Sequence, residues 1–234
     1  MHSSDPFSTL DNPAWWALTG VQQQFAIGPQ QVKRYQRGIL PFAALETATT
    51  ENLVALRDLF EPGEIFYLIG ELPPLPAGMQ LLKELPCVQM VLQQPIALPD
   101  NLVPVTPLNA TYSADMLHLI NKVQPGYYEK DTWRLGNYAG IWQQEQLVAI
   151  AGERMRLHQL TEISAICTDP AYTGRKYAQY LIAHLCNNNL QTGNTPFLHV
   201  VHTNERAIRL YEYLGFTTRR TIPFWQLVTH PSPQ

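Results

Sequence analysis

The chain has 234 residues, 45% hydrophobic and 15% charged, with a formal net charge of -3. The apolar share can fill a sizeable core, and the length suits one large domain or two of roughly 100 residues each. The weak acidic balance and the lack of a long basic run exclude the electrostatic footprint of a nucleic-acid binder, and no run approaches the ~18 apolar residues of a membrane span.

Three cysteines, Cys87, Cys167 and Cys186, are odd in number and widely spaced. That pattern predicts reduced thiols in a cytoplasmic protein. No CxxC or His/Cys pairing suggests a metal, so none is expected. Met1 to Pro6 lacks the basic-then-apolar order of a signal peptide.

In chain order, Pro13 to Gln24 is expected to be helical, and Val32 to Arg37 and Phe42 to Leu45 extended. Asn52 to Phe60 has helical spacing of Leu53, Leu56 and Leu59 or Phe60, and Glu64 to Gly70 reads as a buried strand. Met79 to Leu85 reads as a short helix and Cys87 to Leu92 as a strand. The proline-spaced segment Pro95 to Pro104 is the natural linker, because proline removes donors and disfavours helix before it. It divides the chain into an N-terminal α/β domain, 1–102, and a second domain, 103–234.

The second part is more regular. Val105 to Pro107 reads as a strand, Ala114 to Val123 as a helix and Thr132 to Leu135 as a further helical turn. Tyr138 to Gln143 and Gln146 to Met155 form a hairpin turning at Gln144-Glu145, and Glu162 to Thr168 a third strand. Arg175 to Leu190 carries Ala178, Leu181, Ile182 and Leu185 on one helical face. Pro196 to His202 is a strand. Glu205 to Leu214 is a helix capped by Asn204 or Thr203 and followed by Gly215. Phe216 to Arg220 and Phe224 to Val228 read as two closing strands.

The order strand, tight loop, helix around Pro170 to Ala178 has a chemical use. First-turn amides of a helix lack internal acceptors, and with the helix dipole they form an anion site. Gly174 permits unusual dihedrals, Arg175 and Lys176 add cations, and Ala178 lets a bulky group lie close. A pyrophosphate suits such a site; the bland alternative is a βα turn with solvated basic residues.

After the next strand comes Asn204-Glu-Arg-Ala-Ile-Arg-Leu-Tyr211-Glu-Tyr-Leu-Gly-Phe216. Here the chain resembles the GNAT superfamily of acyl-CoA-dependent N-acyltransferases. That family has an Arg/Gln-x-x-Gly-x-Gly/Ala loop after its fourth strand and an Asn-x-x-Ala-x-x-x-Tyr-x-x-x-Gly-Phe pattern after its fifth. Thr173 to Ala178 occupy the loop, with Thr173 in place of Arg or Gln and Lys176 in place of Gly. Asn204, Ala207, Tyr211, Gly215 and Phe216 match the second pattern in full. The resemblance covers about residues 104 to 230.

The resemblance implies a mixed α/β fold whose fourth and fifth strands, Glu162 to Thr168 and Pro196 to His202, splay apart. It implies acetyl-CoA as co-substrate, held by Ala165, Ile166, Cys167 and Thr168 along the strand, by Thr173, Gly174, Arg175, Lys176, Tyr177 and Ala178 in the loop, and by Asn204, which equally suits a plain helix cap. Direct transfer to a primary amine follows, on a small molecule or a peptide, without membrane or nucleic acid, by a monomer or homodimer. Tyr211 is the candidate general acid, its alternative a core tyrosine. Glu162, expected to share a face with Ser164 and Ile166, is the first candidate base and Glu153 the second. Water with no dedicated base is a third reading. The net acidic balance leans toward a cationic amine. The competing function is a catalytically silent CoA-binding module. The N-terminal domain is a degenerate second copy shaping the acceptor pocket, or else a lid or dimerisation module.

Overall fold

The computed structural model describes residues 5–97 and 103–230, and the boundary expected near residue 102 lies outside them. The main feature is an eight-stranded mixed sheet. Its strands are β4 (Ile65–Ile69), β5 (Met79–Val91), β6 (Thr106–Leu108), β7 (Tyr138–Gln143), β8 (Gln146–Leu157), β9 (Leu160–Thr168), β10 (Thr195–Val201) and β11 (Thr217–Thr229). They lie in the order β4-β11-β5-β10-β9-β8-β7-β6. A small sheet of β1 (Ala26–Ile27), β2 (Val32–Tyr35) and β3 (Ala43–Leu45) joins α1 (Pro13–Thr19) and α2 (Thr50–Arg57) at the N-terminal end. The remaining helices are α3 (Ser113–Val123), α4 (Tyr177–Gln191) and α5 (Glu205–Tyr213).

Strands from both sides of the proline-spaced segment share the large sheet, because β5 lies between β10 and β11. Backbone ladders therefore join the two parts of the chain. β5 also corrects the expected helix at Met79 to Leu85. The Met-Gln-Leu-Leu-Lys-Glu-Leu sequence favours helix, but β11 pairs with it from Met79↔Thr229 to Val91↔Thr217. Tertiary pairing overrides local propensity here. The two closing strands expected on either side of Pro223 are likewise one strand. Pro223 faces Pro86 in the β5–β11 register, so the two missing donors coincide and the ladder is weakened at one place only.

Residues behave as expected where local chemistry decides. The β7–β8 hairpin turns on Gln144 (φ 49°) and Glu145 (φ 65°), the positive dihedrals that a two-residue connection needs. Asn204 Oδ1 caps α5 by accepting from the Ala207 amide at 3.2 Å, and Gly215 (φ 95°) ends it.

The sheet carries a core on each face. One cluster packs Ile163, Leu198, Val200 and Phe216 beneath α4 and α5. On the opposite face, Tyr128, Tyr138 and Cys167 pack with α3, and Phe42, Tyr67, Phe197 and Phe224 pack with α1 and the N-terminal segment.

Candidate active site

The site begins where two neighbouring strands part. β9 and β10 run parallel and pair only from Leu160↔Thr195 to Glu162↔Phe197. Beyond that point they separate, as the family resemblance implies, and β9 exposes an unpaired edge. A bulge marks the same stretch. On β8 the register advances from Ile150 to Gly152 while β9 goes from Cys167 to Ser164, leaving one extra residue on β9. Ala165 has φ 51°, a left-handed conformation in mid-strand. A bulge of this kind leaves the extra residue's backbone groups out of the ladder.

The bulge also overturns the expected face. Ile166 packs with Ile163 under α4, not on the side of Glu162. Strict alternation ends at an inserted residue, which a period of two cannot reveal.

The loop after β9 is fixed from below. Asp169 Oδ1 accepts from the Ala171 amide at 3.0 Å, and Oδ2 accepts from Lys122 Nζ at 2.7 Å. Lys122 and the turn amide hold this carboxyl below its usual range. Gly174 (φ 79°) and Lys176 (φ 62°) both adopt left-handed conformations. Lys176 thus keeps the backbone shape that glycine takes more cheaply, with its side chain exposed. It gives α4 no side-chain cap. The first bond inside that turn runs from the Tyr180 amide to the Lys176 carbonyl at 3.1 Å, so the amides of 177–179 precede any internal partner. Arg175 stacks over Tyr172 at 5.1 Å.

A cleft of about 680 Å³ joins these features. Its lining includes β9 from Ile163 to Thr168, the loop from Tyr172 to Gln179, and Asn204, Ala207, Leu210 and Tyr211 beside α5. It passes between β9 and β10 to the other face, where Leu85, Tyr127, Tyr128, Tyr138, Arg154 and Phe224 border it. Tyr211 is 9% exposed, and its hydroxyl bonds to no described residue. Burial, with Cys167 nearby, pushes its phenol up to about 12. Cys167 is buried, its thiol pushed up to about 11.

The two candidate bases sit elsewhere. Glu162 is fully buried. Arg154 donates to it twice, Nε to Oε2 at 2.8 Å and Nη2 to Oε1 at 2.5 Å, and His199 Nδ1 lies 2.7 Å from Oε1. Burial pushes this carboxyl up, but the Arg154 charge and hydrogen bonds, with His199, outweigh it and hold it at about 2. Such a group is a weak base. Glu153 is 1% exposed on the α4 side. It accepts from the Asn137 amide at 2.9 Å and from Asn189 Nδ2 at 2.8 Å. Neither glutamate borders the cleft.

The Glu162 network continues through the sheet. Arg219 Nη1 donates to Gln89 Oε1 at 2.8 Å, which leaves the Gln89 amide nitrogen to donate to the Leu10 carbonyl at 2.8 Å and to His199 Nε2 at 2.9 Å. His199 is therefore held with its proton on Nδ1, facing Glu162. The sequence held one signal for this network: charged Glu153 and Arg154 inside an otherwise apolar strand, where charges must find partners. Tyr138 carried no signal at all.

A mixed sheet with a splayed parallel pair, a bulge in the gap and an uncapped helix beside it defines the N-acyltransferase class of fold. Residues 138–225 match the family model described as FR47-like protein. A solved structure assigned to the GNAT acetyltransferase family, from Novosphingobium aromaticivorans, is 32% identical over 94% of this chain and 98% of its own, with a TM-score of 0.86. A GCN5-related N-acetyltransferase from Kribbella flavida shares the fold at 15% identity over 94% of this chain and 93% of its own, TM-score 0.60. So does a GCN5-related N-acetyltransferase-like protein from Streptococcus suis, at 15% identity over 92% of each chain, TM-score 0.54. No curated protein matches the chain. The chain belongs to the GNAT family, and acyl transfer is the general chemistry of its relatives. Among the described residues no helix is long and apolar enough to cross a membrane.

Proposed function

We propose that this chain transfers an acetyl group from acetyl-CoA to a primary amine by direct attack. The opening between β9 and β10, with the Ala165 bulge inside it and Tyr211 at its side, carries the reading. The amides at the start of α4, with Arg175 and Lys176, receive the pyrophosphate. The edge of β9 from Ala165 to Thr168 pairs with the pantetheine arm, and Asn204 adds a contact while capping α5. A backbone amide freed by the bulge polarises the thioester carbonyl as an oxyanion donor.

The amine nitrogen bonds to the carbonyl carbon as the carbon–sulfur bond breaks. Tyr211 donates its proton to the leaving sulfur and regains one from the amine through water. A phenol at about 12 is a weaker acid than a thiol of about 8.5. Its hydrogen bond to the developing thiolate therefore does most of the work. No dedicated carboxylate base is assigned, because Glu162 and Glu153 are both held in hydrogen bonds and neither lines the cleft; water takes the amine's proton. The N-terminal part shapes the acceptor side through Leu85 and Cys87.

Acetyl-CoA-dependent release of CoA over a panel of primary amines tests this function. Release with at least one amine is expected. The lack of a carboxylate on the cleft wall among the described residues favours a second reading, a silent CoA-binding module. Tight acetyl-CoA binding without release on any amine would establish that reading instead.

A further inference from the structure

Two hydrogen-bond donors on the far side of the cleft have no partner. The first is on Arg154. This side chain leaves β8 at a second bulge, between Glu153↔Ile163 and Arg156↔Thr161, on the face away from α4. Glu162 takes its Nε and Nη2. Nη1 bonds to no described residue, and Arg154 borders the cleft. The second is the Tyr138 hydroxyl. Tyr138 is 3% exposed, and among the described residues its oxygen is the buried side-chain polar atom left without a hydrogen bond. Its ring is held over Gly152, where an added Cβ would lie 2.1 Å from the ring. The residue lines the same cleft, close enough for the Arg154 charge to act on its phenol.

An unsatisfied buried donor such as the Tyr138 hydroxyl costs about 1–3 kcal/mol and so marks a missing partner, and Arg154, on the cleft wall, adds a free donor beside it. Arginine has no acceptor at all, and burial raises the Tyr138 phenol well above its ordinary range, keeping its proton. Both groups therefore ask for an oxygen. The cleft wall carries Arg154, Arg175, Lys176 and Arg206 but, among the described residues, no aspartate or glutamate. The overall balance is acidic but this wall is not, which weighs against the leaning toward a cationic amine drawn from net charge. Tyr127, Leu85 and Phe224 add apolar surface around the two donors.

The geometry points to an acceptor of amino-acid type, an amine that carries a carboxylate on a compact apolar body, with Arg154 Nη1 and the Tyr138 hydroxyl binding the carboxylate oxygens. This assignment rests on the transfer reading above and names its acceptor class. A carboxylate bound here lies across the sheet from the α4 loop, so its amino group is presented toward the gap between β9 and β10. Arginine–carboxylate bonds are charge-assisted and stronger than neutral ones, which favours the acid over its amide.

Matched acceptors test it: phenylalanine, phenylalaninamide and phenethylamine, each with acetyl-CoA, followed by CoA release. The acid should exceed the decarboxylated amine in kcat/KM by at least about tenfold. Tyr138→Phe should raise KM for the acid about 3- to 10-fold. It should leave KM for acetyl-CoA unchanged and reduce the preference for the acid. Because Tyr138 has no partner to lose and its buried hydroxyl is unsatisfied, this variant should melt no lower than the native protein, and higher if the cost is relieved. Arg154→Lys keeps a cation beside Glu162 and should weaken the acid further. In parallel, calorimetry on the CoA-saturated protein compares 3-phenylpropionate with its amide, a readout independent of turnover. Preferential binding of the acid, reduced in Tyr138→Phe, supports the site even if no amine is acetylated; that combination would overturn the transfer reading alone. CoA release from phenethylamine equal to that from phenylalanine, with no preference in binding, overturns the carboxylate site while leaving the transfer reading intact.

Discussion

Arg154 and Glu162 form a two-point ion pair, 2.8 and 2.5 Å, inside the sheet beside the gap between β9 and β10. The carboxylate has no exposed surface and the guanidinium little. Breaking one side of such a pair leaves an unpaired buried charge, at a cost of about 3–5 kcal/mol. Glu162→Gln should lower stability by that amount in urea denaturation. Activity lost through this variant should track the loss of folded protein. A well-folded Glu162→Gln protein with turnover abolished would restore Glu162 as a base.

The same pair sets an acid limit. The Glu162 carboxyl falls from 4.5 to about 2 on folding, so the folded state binds fewer protons. The stabilisation is fully present above the unfolded value and disappears as pH falls through the folded one. The shift is worth about 3 kcal/mol. Denaturation midpoints should therefore fall between roughly pH 4.5 and 2, in excess of the fall seen in an Arg154→Met, Glu162→Met double variant.

Tyr211 contributes a hydroxyl without a partner among the described residues, so its removal should not disturb the fold. Tyr211→Phe should leave the melting temperature and the acetyl-CoA Kd unchanged and lower kcat by about 100-fold. Unchanged turnover would end the acid assignment and leave a core tyrosine packed on Phe216 at 5.9 Å.

Lys176 holds a left-handed dihedral at the start of α4. Lys176→Gly should stabilise the protein by up to about 1 kcal/mol, since glycine takes this conformation at little cost. Acetyl-CoA should bind several-fold more weakly, with a smaller dependence on ionic strength, because a cation beside the phosphates is gone. Binding unaffected by this change would place the ammonium in solvent only.

Ala165 also holds a left-handed dihedral, in mid-strand. Valine resists positive φ, so Ala165→Val should cost about 1–3 kcal/mol or pull the bulge flat. Turnover should fall as the freed backbone amide leaves the gap. Ala165→Gly should keep both fold and rate. Equal rates in all three proteins would remove the bulge from catalysis.

How much of this was legible follows from the range of the forces involved. The hairpin at Gln144-Glu145, the Asn204 cap, the Gly215 stop and the order of strand, loop and helix from Glu162 onward are fixed within a few residues, and the sequence showed them. The pattern from Asn204 to Phe216 likewise pointed to the GNAT family. Met79 to Leu85 misled because its preference is local while its partner, β11, is more than a hundred residues away. Glu162 shows the same limit of local reading. Its chemistry as an isolated side chain suits a base, but Arg154 and His199 arrive from two other strands and tie it up.

By itself, then, the sequence determined most of the elements and their order, since turn dihedrals, helix caps and apolar periodicity are properties of neighbours along the chain, and its Asn204-to-Phe216 pattern carried the resemblance to the family. The tertiary structure alone decided that β5 would sit between β10 and β11. It alone turned Ile166 to the α4 face through an extra residue at Ala165, and brought the free donors of Arg154 and Tyr138 to one cleft. Those outcomes depend on register and burial across strands, which no spacing within a segment encodes.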